Sequence, residues 1–386
     1  MGAMCEICEN RKDLELYIHI PFCVRKCKYC DFLSAPASQR ERQAYVDSLC
    51  GKIRSYADSA KAYHVVSIFL GGGTPSILEG EQILQIFAAI REVFLVDEDA
   101  EITLEANPGT VTGGGPASVT KEKLAAWRQA GINRLSIGLQ SAEDRELKAL
   151  GRIHTFAEFK ETYQAAVAAG FSNMNVDLMS AIPFQTEESW ERTLRTVAGL
   201  TPPPAHISAY SLIIEEGTPF YERYGSGEHA EELPDEDTER RMYERTEEIL
   251  SEYGYHRYEI SNYALPGYEC RHNLGYWDRR EYLGIGDGAA SFFEGKRWSG
   301  EEEPVILTRK DAMEEFMFLG LRKMEGVSRR RFREEFQTEM EEIYGTVIEE
   351  LCRQGLLETV GDRLRLTRKG IDVSNYVMSE FLLDGE

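Results

Sequence analysis

No apolar run in this chain of 386 residues approaches the length of a membrane span. The amino terminus also has no apolar core of the kind a secretory leader carries. Basic residues are scarce: 44 Lys and Arg stand against 66 Asp and Glu, a net charge of −22. That sign argues against nucleic acid or an anionic membrane surface as the main partner, because both reward clustered cations. The eight cysteines show no paired framework, which excludes a disulfide-stapled secreted fold and makes the cytoplasm the expected location. The apolar content is ordinary, 42% with 10% aromatic, and is enough for one large domain plus a smaller one.

A further absence is local. Leu16, Ile18 and Ile20 alternate as a strand that Pro21 stops, and Cys23, Cys27 and Cys30 then fall in one short loop. Thiolates so close in a reducing compartment point to metal, and an iron–sulfur cube usually takes four of them. Here Phe32 and Ser34 stand where another thiol could follow. Three ligands on a four-iron cluster leave one iron open, as an open position makes a zinc site catalytic. The alternative is a zinc site with His19 or Cys50 as the fourth ligand. The C-x3-C-x2-C spacing resembles that of the radical S-adenosylmethionine (SAM) superfamily, in which SAM itself is the implied fourth ligand of a [4Fe–4S] cluster. A second pair, Cys5 and Cys8, forms a lone C-x2-C in the terminal tail, a weak motif without a second half.

Short β-branched runs alternate with amphipathic stretches, the signature of βα units around a parallel sheet. Strands are expected at 16–20, 65–70, 101–105, 134–138, 173–178 and 206–212, with helices at 41–56, 81–94, 121–130, 156–169 and 187–198. About six repeats suit a partial barrel, not a closed eight-fold one. The chain is expected to leave this layer near 216–224. The acidic stretch 228–239 reads as a solvated loop or helix face, followed by a helix at 240–253. The final third alternates helices with a hairpin turning at Gly361-Asp362, a winged-helix-like arrangement. Arg329, Arg330, Arg331 and Arg333 within it read as a solvated helix face.

In parallel α/β folds, ligands sit at the carboxyl ends of the strands. The cysteine loop follows the first strand, and Gly71-Gly72-Gly73-Thr74-Pro75 follows the second. Glu105 ends the third, Gln140 follows the fourth, Asp177 lies near the end of the fifth, and Arg152 sits just past 147–150. Each alone is commonly a cap or a satisfied buried polar group. Together they bring carboxylates, an amide, a guanidinium and a glycine loop to one end of one sheet, the mixture SAM needs.

With these residues the chain resembles the coproporphyrinogen oxidase-like branch of the radical SAM superfamily, from about Tyr17 to the C-terminal helices. The resemblance implies that Cys23, Cys27 and Cys30 hold the cluster and that Tyr17, Tyr29, Gly72, Gly73, Thr74, Glu105, Gln140, Arg152 and Asp177 contact SAM. It implies an α/β fold: residues 1–15 a tail, 16–225 a radical SAM (β/α)6 partial TIM barrel, and 226–386 an α-rich C-terminal domain with the winged-helix-like part.

Two groups share this scaffold. The oxidases, which decarboxylate propionate side chains in porphyrin biosynthesis, carry a further cysteine where Phe32 stands and a longer N-terminal arm than the sixteen residues before Tyr17. The heme-chaperone group carries H-N-x-x-Y-W, present here in full as His272-Asn273-Leu274-Gly275-Tyr276-Trp277. An imidazole can ligate iron, and Tyr276 and Trp277 offer flat apolar area for a porphyrin face. The implied function is heme binding and transfer, with oxidase activity as the alternative. The implied partners are heme, a heme-acceptor protein through which the chain meets a membrane edge, and an electron donor such as a flavodoxin or ferredoxin; a dimer is allowed for. Two positions depart from the group: Ala290 where it usually has His, and Ala181 where a Gly usually stands.

Overall fold

The computed structural model describes residues 11–109 and 118–383, so Cys5 and Cys8 lie outside the described residues. Alternating apolar positions build β1 (Lys12–Ile20), β2 (Tyr63–Gly72), β3 (Val96–Ala106), β4 (Arg134–Gln140), β5 (Asn173–Ser180) and β6 (His206–Ser211). Each strand pairs in parallel with the next. Parallel neighbours require crossovers, and the helices Gln39–Ser55, Gly80–Val93, Lys121–Ala130, Phe156–Ala168 and Glu187–Ala198 provide them. Ser38, Thr155 and Thr186 start three of these with reciprocal capping boxes, which satisfy backbone donors the first turn leaves free. The six expected strands and five expected helices are all present, with no end shifted by more than five residues.

The strands sort their side chains by period two. On β1, Leu14, Leu16, Ile18 and Ile20 are fully buried and join Val46, Leu49 and Ile53 of the first helix in one apolar core. The other face is also buried but polar: Glu15, Ser67, Glu101, Thr103, Arg134, Ser136, Asn175 and His206. Such groups must find partners inside the fold. Asn175 does so by donating to Ser136 Oγ at 2.8 Å and to Asp177 Oδ1 at 2.7 Å, and His206 Nδ1 meets Asn175 Oδ1 at 2.6 Å.

After β6 the chain forms the short helix Pro219–Tyr224. The acidic stretch then becomes the start of a helix, Glu236–Glu252, with Asp235 accepting from the Thr238 N–H and Glu236, Asp237 and Glu239 in its first turn. Carboxylates there complement the positive end of the helix dipole, so this helix begins earlier than periodicity alone suggests. The stretch that follows returns to the sheet instead of leaving it. β7 (His256–Arg257) and β8 (Asn262–Ala264) extend the β6 edge, while β9 (Tyr282–Ile285), β10 (Ala290–Phe293), β11 (Lys296–Ser299) and β12 (Val305–Ile306) extend the β1 edge, giving a twelve-stranded open sheet. Strands of two to four residues carry too little alternation to be read in advance. β9 pairs in parallel with β1, matching Glu15 to Tyr282 and Ile18 to Ile285.

A second apolar core begins at Met313 and runs to Phe381. Its helices, Arg329–Phe336 and Met340–Arg353, precede a hairpin of β14 (Leu357–Val360) and β15 (Arg363–Leu366), to which β13 (Val327–Ser328) adds a third strand. The arginine cluster there is spent on neighbouring acids: Arg329 on Glu341, Arg330 on Glu334, Arg331 on Asp278 and Arg333 on Glu339. Among the described residues, no helix is long and apolar enough to cross a membrane.

Candidate cofactor and ligand sites

The loop after β1 is fixed at several points. Cys23 N–H donates to Ala35 O at 3.1 Å, Lys28 N–H to Leu150 O at 3.1 Å, and Arg25 Nη2 to Gly151 O at 2.7 Å. Cys23, Cys27 and Cys30 are all free thiols. They line one cavity of about 290 Å3 together with Tyr29, Gly72, Gly73, Thr74, Glu105, Gln140, Arg152 and Asp177. The glycine loop reaches it because an added Cβ on Gly73 would lie 2.6 Å from Phe22 O, closer than any side chain allows. Thr74 Oγ1 lies 3.2 Å from Cys23 Sγ, and Arg152 Nη1 lies 3.6 Å from Cys27 Sγ.

Burial works against the charged forms of the carboxylates in this cavity. Burial first, and then Asp177, push Glu105 up to about 8, although the Gly72 N–H donates to it at 3.2 Å. Burial also raises Asp177, against hydrogen bonds from Asn175 and Ser136. A ligand bringing an ammonium or ribose hydroxyls would stabilise the anionic forms. Arg152 Nη2 donates to Asn107 Oδ1 at 2.7 Å and also to Gly138 O, while its Nε is buried with no acceptor.

The donor set fits an iron–sulfur cube better than zinc. A single zinc with bonds of about 2.3 Å draws its sulfurs to roughly 3.8 Å of one another. Here the three sulfurs do not all lie within 4.8 Å of each other. The zinc alternative also loses its fourth ligand. His19 has Nδ1 on Tyr17 Oη at 3.1 Å and Nε2 on Leu33 O at 3.2 Å, and Cys50 is buried in the core beside Gln85 O.

Tyr17 does not line the thiol cavity. It lines a second one, of about 350 Å3, with Tyr276, Trp277, Tyr282, Ala290, Phe292 and the guanidinium groups of Arg279 and Arg297. Tyr276 and Trp277 come from the helix Arg271–Trp277. His272 on the same helix is 1% exposed and both its nitrogens are engaged, Nδ1 with Ser67 Oγ at 2.8 Å and Nε2 with Tyr276 Oη at 2.9 Å. Its ring stacks on Phe69, 5.2 Å between centroids. Burial first, then Arg134 and Arg280, push its pKa down to about 3, so it is neutral. As folded, His272 offers iron no free nitrogen. Asn273 is half-buried and outside this cavity.

Residues 17–197 match the radical SAM superfamily and residues 307–373 the HemN C-terminal domain. The chain is 36% identical to the heme chaperone HemW of Lactococcus lactis over 97% of its own length and 98% of that protein. It is 34% identical to HemW of Bacillus subtilis over 95% and 98%, and 35% identical to HemW of Escherichia coli over 96% and 98%. The chain belongs to the HemW family of radical SAM proteins. The coproporphyrinogen III oxidase HemN of Escherichia coli shares its fold, with a TM-score of 0.82 over 97% of this chain and 92% of that one at 22% identity.

In this HemW-family chain, Asn107, Ser136 and Tyr210 are among the thiol-cavity residues that were not singled out from the sequence. Asn107 donates to Thr74 Oγ1 at 2.7 Å and receives Arg152. Ser136 donates to Asp177 Oδ2 at 3.1 Å, and Tyr210 donates to Gln140 Oε1 at 2.9 Å. The period-two rule was the available signal for Ser136, which shares a strand face with Gly138 and Gln140 on β4. No local pattern marks Tyr210, which meets Gln140 across a separation of seventy residues.

Proposed function

We propose that this chain is a heme chaperone, taking up heme and passing it to an acceptor protein, with a SAM-liganded [4Fe–4S] site that regulates or drives the transfer. The observation carrying this reading is identity to heme chaperones along almost the whole chain, joined to an aromatic cavity beside the thiol cavity. In it, residues 16–225 act as the radical SAM domain and 226–386 as the C-terminal part, of which 256–306 completes the sheet.

Cys23, Cys27 and Cys30, which line the cavity, would hold three irons of the cluster and leave the fourth without a protein ligand. The bound cluster and SAM supply one-electron chemistry at the sulfonium. This chain's own part is positioning. Gly72 and Gly73 let backbone approach the ligand, Glu105 and Asp177 accept from its ammonium and ribose hydroxyls, and Arg152, Gln140, Thr74 and Tyr29 orient it. Tyr17 closes the far side near Glu105, because an added Cβ on Gly71 would lie 3.1 Å from both Glu105 Oε2 and the Tyr17 ring. Tyr276 and Trp277 would face the heme. A one-electron donor such as a flavodoxin or ferredoxin, and the acceptor, complete the set of partners.

The test is anaerobic reconstitution followed by iron and sulfide counts, hemin titration, and incubation with coproporphyrinogen III. About four irons per chain, saturable hemin binding and no protoporphyrinogen are expected. Protoporphyrinogen formed in turnover would overturn the chaperone reading in favour of the oxidase. A colourless protein with stoichiometric zinc would remove the cluster.

A further inference from the structure

Among the described residues, none of those lining the aromatic cavity is His, Cys or Met. The iron ligands these residues can offer are oxygens, and the cavity supplies three phenols. Two are engaged: Tyr17 Oη with His19 Nδ1 and Tyr276 Oη with His272 Nε2. Tyr282, on β9, makes ring contacts with Tyr276 (4.6 Å between centroids) and Phe292 (6.4 Å). Its hydroxyl has no hydrogen-bond partner among the described residues. Ferric iron is a hard cation that accepts a phenolate, as tyrosine-ligated hemes show.

Two donors on residues that line this cavity are unmet. Arg297 Nε and Trp277 Nε1 are both buried without an acceptor. Arg297 sits over Phe292, 5.5 Å from the ring centroid, and is fixed by Glu315 Oε1 at 2.9 Å. Arg279 shares Glu315 at 3.3 Å and also pairs with Glu335. Buried donors without acceptors are rare in folded proteins, and a ligand bearing carboxylates would satisfy them. Burial raises the Tyr282 hydroxyl, Arg297 works in the opposite direction, and Glu315 adds to the rise.

We propose that heme occupies this cavity with its iron met by Tyr282 Oη, and not by His272, and with a propionate directed at Arg297 and Trp277 Nε1. The inference rests on the heme-chaperone reading above. Ferric heme arriving with a hydroxide ligand exchanges it: the iron–hydroxide bond breaks, the iron–phenolate bond forms, and the phenol proton leaves with the hydroxide as water. No electron moves in this step. His272 then acts behind the cavity, holding Tyr276 in place through its Nε2.

The experiment is titration of the full chain, cluster intact, with hemin, read by absorption and resonance Raman spectroscopy. The unaltered chain is expected to give a high-spin ferric spectrum with phenolate vibrations. Tyr282→Phe keeps the ring and its edge contacts, so the fold is expected to stand; the phenolate bands should vanish and hemin affinity fall by about tenfold or more. Ala290→Trp is expected to obstruct the cavity and weaken hemin binding to a similar extent. A histidine-type spectrum that survives Tyr282→Phe and disappears in His272→Asn would overturn the ligand assignment. Unchanged affinity in Ala290→Trp would overturn the cavity. If the unaltered chain takes up no hemin, the chaperone reading itself falls, which separates that failure from the others.

Discussion

Glu15 gives the sharpest test of how the interior is wired. It lies on β1, is 0% exposed, and faces the helix that carries His272 and Tyr276. One carboxyl oxygen accepts from Arg280 Nη1 at 3.1 Å, while Oε2 is buried with no hydrogen bond, 3.9 Å from His272 Nδ1. The carboxyl fits only because residue 275 is glycine; an added Cβ there would lie 1.9 Å from Glu15 Oε1. Burial raises Glu15 from 4.5 to about 8, and Arg280, which is shared with Asp13, offsets only part of this. The folded chain therefore holds a proton that the unfolded chain releases above about 4.5. This stabilising contribution is complete below that pH and is lost as pH rises toward and through 8. One proton corresponds to about 1.4 kcal/mol per pH unit, so roughly 3 kcal/mol disappears between pH 5.5 and 8. Glu15→Gln keeps the shape and cannot ionise. Urea unfolding of the two chains across that range, followed by circular dichroism, is expected to give similar stability at pH 5.5 and a variant about 3 kcal/mol more stable at pH 8. Raised groups elsewhere, Glu105 and Asp177 among them, are common to both chains and cancel. Parallel pH curves would refute the reasoning, as would a variant that loses ground as pH rises.

Two further outcomes follow from close approach and from the second core. Gly73→Ala would place Cβ 2.6 Å from Phe22 O and 2.9 Å from Phe22 N, both backbone atoms of the cysteine loop; equilibrium dialysis should show SAM affinity reduced by about tenfold, with a stability loss of about 1–3 kcal/mol and normal iron content. Phe332 is 0% exposed and lies among the rings of Phe316, Phe336 and Tyr344; Phe332→Ala should cost the C-terminal core about 3–5 kcal/mol, seen as an earlier thermal transition, while iron and sulfide counts stay unchanged.

The sequence by itself determined the parallel core and its working end. Apolar alternation placed β1–β6, amphipathic spacing placed the crossovers, and the cysteine spacing marked the loop that the thiol cavity is built on. These signals are local: a strand's period, a helix's period and a three-ligand loop each fit within about twenty residues, so they survive without knowledge of the fold. Tertiary structure alone decided what the polar signature at 272–277 does. His272 reads as a candidate iron ligand in isolation, yet Ser67, 205 residues away in the chain, and Phe69 beside it enclose the imidazole and engage it. Tyr17, read as a SAM contact, lines the neighbouring cavity because β9 pairs with β1 and brings Tyr282 alongside. The short strands β7–β12 were illegible for a related reason. Two to four residues carry no period of their own, and they become strands only because the edges of a preformed sheet offer unpaired backbone groups to bond.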